Sequence, residues 1–104
     1  NSLERYVPST NEWEEEAVAP MPTARNYVGT AMLDGKLYAA GGQDVDLAAS
    51  SLVQRYDLAT KSWEAVAPMA TARVNPAAAV LDGKLYAVGG FSDGDLTSVE
   101  RYDP

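Results

Sequence analysis

The sequence contains no cysteine and no histidine. Without cysteine there is no disulfide framework, no thiolate nucleophile and no zinc–thiolate site. Without histidine as well, nothing marks a Ser-His-Asp or Cys-His arrangement, and copper or zinc would find only weak ligands. Positive charge is scarce: 8 Lys and Arg stand against 15 Asp and Glu, a formal net charge of −7. A phosphate-binding surface needs a basic face, so nucleic acid and anionic membrane are poor partners, and a basic or neutral partner is easier. No run approaches the roughly 18 apolar residues of a membrane span. No basic segment followed by an apolar stretch opens the chain, and there is no Asn-x-Ser/Thr sequon. The expectation is a cytoplasmic chain with no cofactor, and with neither nucleic acid nor membrane as a partner. Its 46% hydrophobic content is that of a folded protein.

What the sequence does have is an internal repeat, the feature that most directly fixes architecture. Segments 17–21, 23–25 and 33–39 recur as 65–69, 71–73 and 81–87, a shift of 48 residues. Gly41-Gly42 recurs as Gly89-Gly90 at the same shift. Arg5-Tyr6 and Trp13 recur as Arg55-Tyr56 and Trp63 at a shift of 50, the difference being two extra residues in the acidic run 14–16. Arg-Tyr appears a third time as Arg101-Tyr102.

Each unit reads as four strands. Apolar runs at 27–33 and 75–81 are each followed by Asp-Gly and then Lys-Leu-Tyr-Ala. Asp-Gly between two such runs is a strong hairpin signal, because a type I′ turn needs positive φ at both central positions. Second strands follow at 36–40 and 84–88, each ended by the Gly pair, which suits a crowded backbone or positive φ. Third strands lie at 3–6, 52–56 and 98–102. Fourth strands lie at about 12–18 and 62–66. Four antiparallel strands per unit make one β-propeller blade.

The chain resembles the kelch family over essentially its whole length. The period near 50 fits that family. So does the order of the Gly pair, the Tyr of the third strand and the Trp of the fourth, with Ala-Pro-Met and Thr-Ala-Arg between units. The resemblance implies an all-β fold of kelch-type blades, with the strand after Ala-Pro-Met innermost and the Trp strand outermost. Many such proteins, of the BTB-kelch type, deliver substrates to cullin-type ubiquitin ligases; the BTB segment they use is absent from this sequence. Val7-Pro8 departs from the family's Tyr-Asp, kept at Asp57 and Asp103, and predicts an altered turn in the first copy.

In this frame residues 1–20 end one blade, 21–68 form a complete blade and 69–104 supply three strands of a further blade. Two units cannot close a ring of about four to eight blades. The expectation is therefore a fragment of a longer propeller, or a unit that completes a ring by self-association. Six blades are common in the proteins it resembles, so a homotrimer with strand exchange is expected, using the third strand at 99–103 rather than the one at 3–6.

Tyr6, Tyr56, Tyr102, Trp13 and Trp63, with Gly41, Gly42, Gly89 and Gly90, hold fixed places in the repeat and read as structural, the aromatics packing between blades. Arg25 and Arg73 read as structural too, bonded to Glu4, Gln54 or Glu100, against the alternative of anion or partner contacts at the channel mouth.

One face carries the connections that differ between units: the loops 43–51 and 91–97, and the starts of the innermost strands. Binding residues concentrate on variable loops held by a rigid scaffold. The candidates for a protein or peptide partner are Asn26, Tyr27, Gln43, Asp44, Asp46, Val74, Asn75, Phe91, Asp93 and Asp95. The pairs Asp44/Asp46 and Asp93/Asp95 could start a calcium site, but calcium wants six to eight oxygens, and the simpler reading is a turn. The functional expectation is a non-catalytic binding scaffold or self-assembling unit. The alternative is a fragment of a kelch-type enzyme such as a mutarotase, whose carboxylate site missing blades would complete.

Overall fold

The computed structural model describes residues 5–14 and 21–104. Expected features at 1–4 and 15–20, including Glu4, the ends of two strands and most of the acidic run, lie outside the described residues. The described residues contain nine strands and no helix. They are β1 (Arg5–Val7), β2 (Glu12–Glu14), β3 (Gly29–Leu33), β4 (Lys36–Ala40), β5 (Val53–Asp57), β6 (Ser62–Ala65), β7 (Ala77–Leu81), β8 (Lys84–Val88) and β9 (Val99–Tyr102). They pair in chain order into sheets β1-β2, β3-β4-β5-β6 and β7-β8-β9, every pairing antiparallel. The fold is all-β, and the four-stranded meander is a propeller-type blade. The three sheets do not close into a ring.

Local chemistry fixes the hairpins. Leu33 pairs with Lys36 and Leu81 with Lys84, leaving two-residue loops. Asp34 and Gly35 have φ of 51° and 74°, and Asp82 and Gly83 have 51° and 72°, as a type I′ turn requires. Strand starts differ from the sequence reading. Tyr27 and Asn75, expected as strand residues, both have φ of 56°, so the innermost strands begin two residues later. Left-handed backbone cannot continue a β ladder.

The turn after β1 also departs from expectation. Its backbone matches the turn after β5. Asn11 N–H donates to Val7 C=O (2.9 Å) as Lys61 N–H donates to Asp57 C=O (2.8 Å), and Asn11 and Lys61 have φ of 54° and 57°. What Val7 loses is the side-chain cap: Asp57 Oδ1 accepts from Ala59 N–H at 2.8 Å. The first copy substitutes Tyr6 O–H donating to Asn11 Oδ1 at 2.6 Å.

The core lies between the two larger sheets. Leu33, Tyr38, Ala40, Val53 and Leu85 are buried, with Ala31, Val66, Met69, Ala78 and Tyr102 packed around them. The Tyr38 and Tyr102 rings meet across this interface at 6.0 Å. Trp63 meets an aromatic partner within its own sheet. It is half-buried and lies across the Tyr56 ring of its own sheet, centroids 5.4 Å apart, as Trp13 lies across Tyr6 at 5.5 Å. The tilted geometry is the one that aromatic quadrupoles favour.

The two repeats are buried unequally. Leu33, Ala40 and Val53 are 5%, 2% and 4% exposed, whereas their repeat equivalents Leu81, Val88 and Val99 are 60%, 42% and 55% exposed. The same face of the repeat is covered by a neighbouring blade in one case and bare in the other.

Candidate functional site

The variable face is built from two arginine clamps. Arg25 Nη1 donates to Gly41 C=O and Leu52 C=O, both at 2.8 Å, and these carbonyls flank the 43–51 loop. Its Nη2 donates to Ala39 C=O at 3.2 Å and to Gln54 Oε1 at 3.0 Å. Arg73 does the same one repeat later. Its Nη1 donates to Gly89 C=O at 2.8 Å and Ser98 C=O at 3.0 Å, the carbonyls flanking the 91–97 loop. The planar, multi-donor guanidinium can tie two chain segments at once, which a lysine cannot. These arginines are 7% and 0% exposed, so they organise the loops from beneath and offer no surface to a partner.

The clamps differ in charge. Arg73 Nε and Nη2 reach Glu100 Oε2 at 3.2 and 3.0 Å. The same carboxylate accepts from Ala70 N–H at 2.6 Å and Thr71 N–H at 3.1 Å. Burial pushes the Glu100 carboxyl up, but the bonds from Ala70, Arg73 and Thr71 outweigh it and hold it below the usual carboxylate range. Arg25 faces the neutral Gln54 instead, and its buried Nε has no hydrogen-bond partner among the described residues. Burial pulls the Arg25 guanidinium below its ordinary value.

The Gly pairs sit where the loops leave the blade. Gly41 and Gly42 have φ of 70° and 96°. A Cβ on Gly41 would lie 2.5 Å from Arg73 C=O, the carbonyl to which Gly42 N–H donates at 2.7 Å. Only glycine permits both the dihedral and the approach of the next repeat.

Above the clamps the candidate residues meet in pairs. Asn26 bridges Gln43, and Val74 bridges Phe91. Asn75 N–H donates to Tyr27 C=O at 2.8 Å, linking the two repeats across the face. Tyr27 is 62% exposed and left-handed, a conformation that an aromatic residue adopts only where its surroundings impose it. An open cleft of about 450 Å³ lies between the loops, lined by Gln43, Leu47–Ala49, Ala72, Val74, Phe91 and Ser92–Gly94. A smaller hollow beside it is lined by residues 24–26 and 43–45.

The structure sorts the sequence candidates. Asn26, Tyr27, Asp46, Asn75, Phe91, Asp93 and Asp95 are exposed, and Gln43 and Asp44 are half-buried. Val74 is the exception. At 3% exposure its side chain is committed to the interior, and only its backbone, paired with Phe91, supports the site. Asp44 forms the turn: its Oδ1 accepts from Asp46 N–H (2.9 Å) and Ala48 N–H (3.1 Å). Among the described residues no group of three or more Asp or Glu side chains gathers as a metal site would. Leu47 was missed. It lies at the cleft, 73% exposed, with φ of 63°. An apolar residue one position after an Asp-x-Asp turn was the available signal.

The kelch motif model matches residues 24–70 and 72–104. The chain belongs to the kelch-repeat family. Among its relatives, Kelch-like protein 26 of Danio rerio is 36% identical over 64 residues, 61% of this chain and 10% of that protein. Kelch-like protein 33 of Homo sapiens is 42% identical over 59 residues, 57% of this chain and 10% of that protein. Kelch-like ECH-associated protein 1A of Danio rerio is 49% identical over 41 residues, 39% of this chain and 6% of that protein. The chain thus matches a tenth or less of the length of these relatives. No helix among the described residues is long and apolar enough to cross a membrane.

Proposed function

We propose that these kelch blades form a non-catalytic binding module that takes a protein or peptide partner on the variable-loop face. The observation that carries this reading is the cleft where the 43–51 and 91–97 loops meet, floored by Ala72 and Val74 and flanked by exposed Leu47 and Phe91. Apolar side chains left in water beside a concave surface, on loops clamped by buried arginines, suit recognition. The polar side chains lining the cleft are those of Gln43, Ser92 and one carboxylate, Asp93, with no histidine or cysteine in the chain to activate a nucleophile. This supports binding over a mutarotase-like or other catalytic role. Partners selected from a displayed fragment library test the reading. Binding should be lost in the combined Tyr27→Ala, Asn75→Ala, Phe91→Ala variant and kept in Lys36→Ala, Lys84→Ala, which alters the opposite face. The reverse pattern would place recognition on the wrong side.

The unequal burial of the two repeats favours a second property, self-association. The bare face of Leu81, Val88 and Val99 corresponds to the face that the first complete blade buries. The β1–β2 hairpin likewise leaves Tyr6 44% exposed, where Tyr56 is 1% exposed. Three copies, two blades each, would cover both surfaces in a six-bladed ring, a closed cyclic assembly.

A further inference from the structure

We infer that the cleft between the 43–51 and 91–97 loops takes an extended peptide segment carrying Lys or Arg beside a large apolar side chain. This rests on the reading of the loop face as a partner-binding surface and adds the chemistry of the partner.

The distribution of charge carries the argument. The two loops hold four carboxylates, Asp44, Asp46, Asp93 and Asp95, and no Lys or Arg. The two arginines beneath this face are buried and turned inward onto backbone carbonyls, Gln54 and Glu100. Lys36 and Lys84 follow the hairpin turns on the other side, and Arg55 is paired with Glu64. With Asp44 Oδ1 spent on its turn, Asp46, Asp93 and Asp95 remain exposed, with no basic residue in either loop to neutralise them. Leu47 and Phe91, 73% and 46% exposed, supply the apolar part of the same surface. A cationic side chain would meet the carboxylates at the rim, where complementary charge speeds encounter and rejects wrong partners. An apolar neighbour would cover Leu47 and Phe91, and an arginine could also stack on the Phe91 ring. An acidic segment would be repelled.

Selection from a random-peptide library on the intact chain tests this, with each variant first shown to melt like the parent. The expected winners pair Lys or Arg with Leu, Phe or Trp. Synthetic copies should bind about tenfold more weakly to the combined Asp46→Asn, Asp93→Asn, Asp95→Asn variant at low salt, and the difference should shrink at about 0.5 M salt as the screening length shortens. They should also weaken on Phe91→Ala. Winners that are acidic or uncharged yet still depend on Phe91 would overturn the charge chemistry and leave the loop face standing. Winners indifferent to Phe91, or no winners, would overturn the loop face together with this inference.

Discussion

Arg73 and Glu100 form a charged pair at 3.0 Å, whereas Arg25 in the preceding repeat meets the neutral Gln54 at the same distance and, among the described residues, keeps a buried Nε unbonded. Two copies of one motif thus solve the same problem unequally. A buried guanidinium without a counter-charge is costly, and a donor without a partner adds to the cost.

Gln54→Glu should therefore stabilise the chain. The substitution would give Arg25 the carboxylate that Arg73 already has. Against the cost of burying a second charge, the expected gain is about 1 kcal/mol, seen as a melting point several degrees higher. A lower melting point would mean that the Arg25 site cannot accommodate the carboxylate.

The Glu100 pair should also set an acid limit. Its folded pKa lies below its unfolded value of about 4.3. The folded state therefore binds fewer protons in that range. The stabilisation is fully present above the unfolded value and is lost as pH falls through the folded one. Urea midpoints measured from pH 7 to pH 3 should fall more steeply for the parent than for Glu100→Gln. Equal slopes would show that Glu100 is not held as an ion pair.

The aromatic pair of the complete blade should be unequal in worth. Tyr56 is fully buried, and Tyr56→Ala should cost about 3–5 kcal/mol, as truncation of a large core residue does. Trp63 is half-buried, so Trp63→Ala should cost less, roughly 1–3 kcal/mol. Denaturant unfolding gives both values. A larger loss at Trp63 would mean that another blade covers it.

Much of this was legible in the sequence because it is local. The Asp-Gly turns state their own geometry, and the Gly pairs mark positions where a side chain cannot fit. The nine strands follow from the repeat. Other features were not legible because they depend on contacts distant in sequence. Nothing next to Tyr27 announces that it turns left-handed; that follows from the links Asn26–Gln43 and Asn75–Tyr27. Val74 reads as a loop residue in sequence, yet its backbone bridges Phe91 and it is 3% exposed. The turn at Val7-Pro8 kept its backbone because Asn11 tolerates positive φ, so the lost Asp cap changed only the side-chain bonding.

Self-association predicts a trimer of this chain by light scattering. Removing the residues before Val7 should leave it intact if β9 supplies the third strand of the shared blade. A monomer or dimer contradicts the six-bladed ring. Dissociation on deletion would show that β1 is the strand used.

The central claim is that partners are held by the variable loops, and NMR shift mapping with a selected peptide addresses it most directly. On titration, backbone signals of Gln43, Leu47, Phe91, Ser92 and Asp93 should move most, while Gly35, Lys36, Gly83 and Lys84 stay still. Shifts concentrated at the Asp-Gly turns, with the two loops unchanged, would contradict the account.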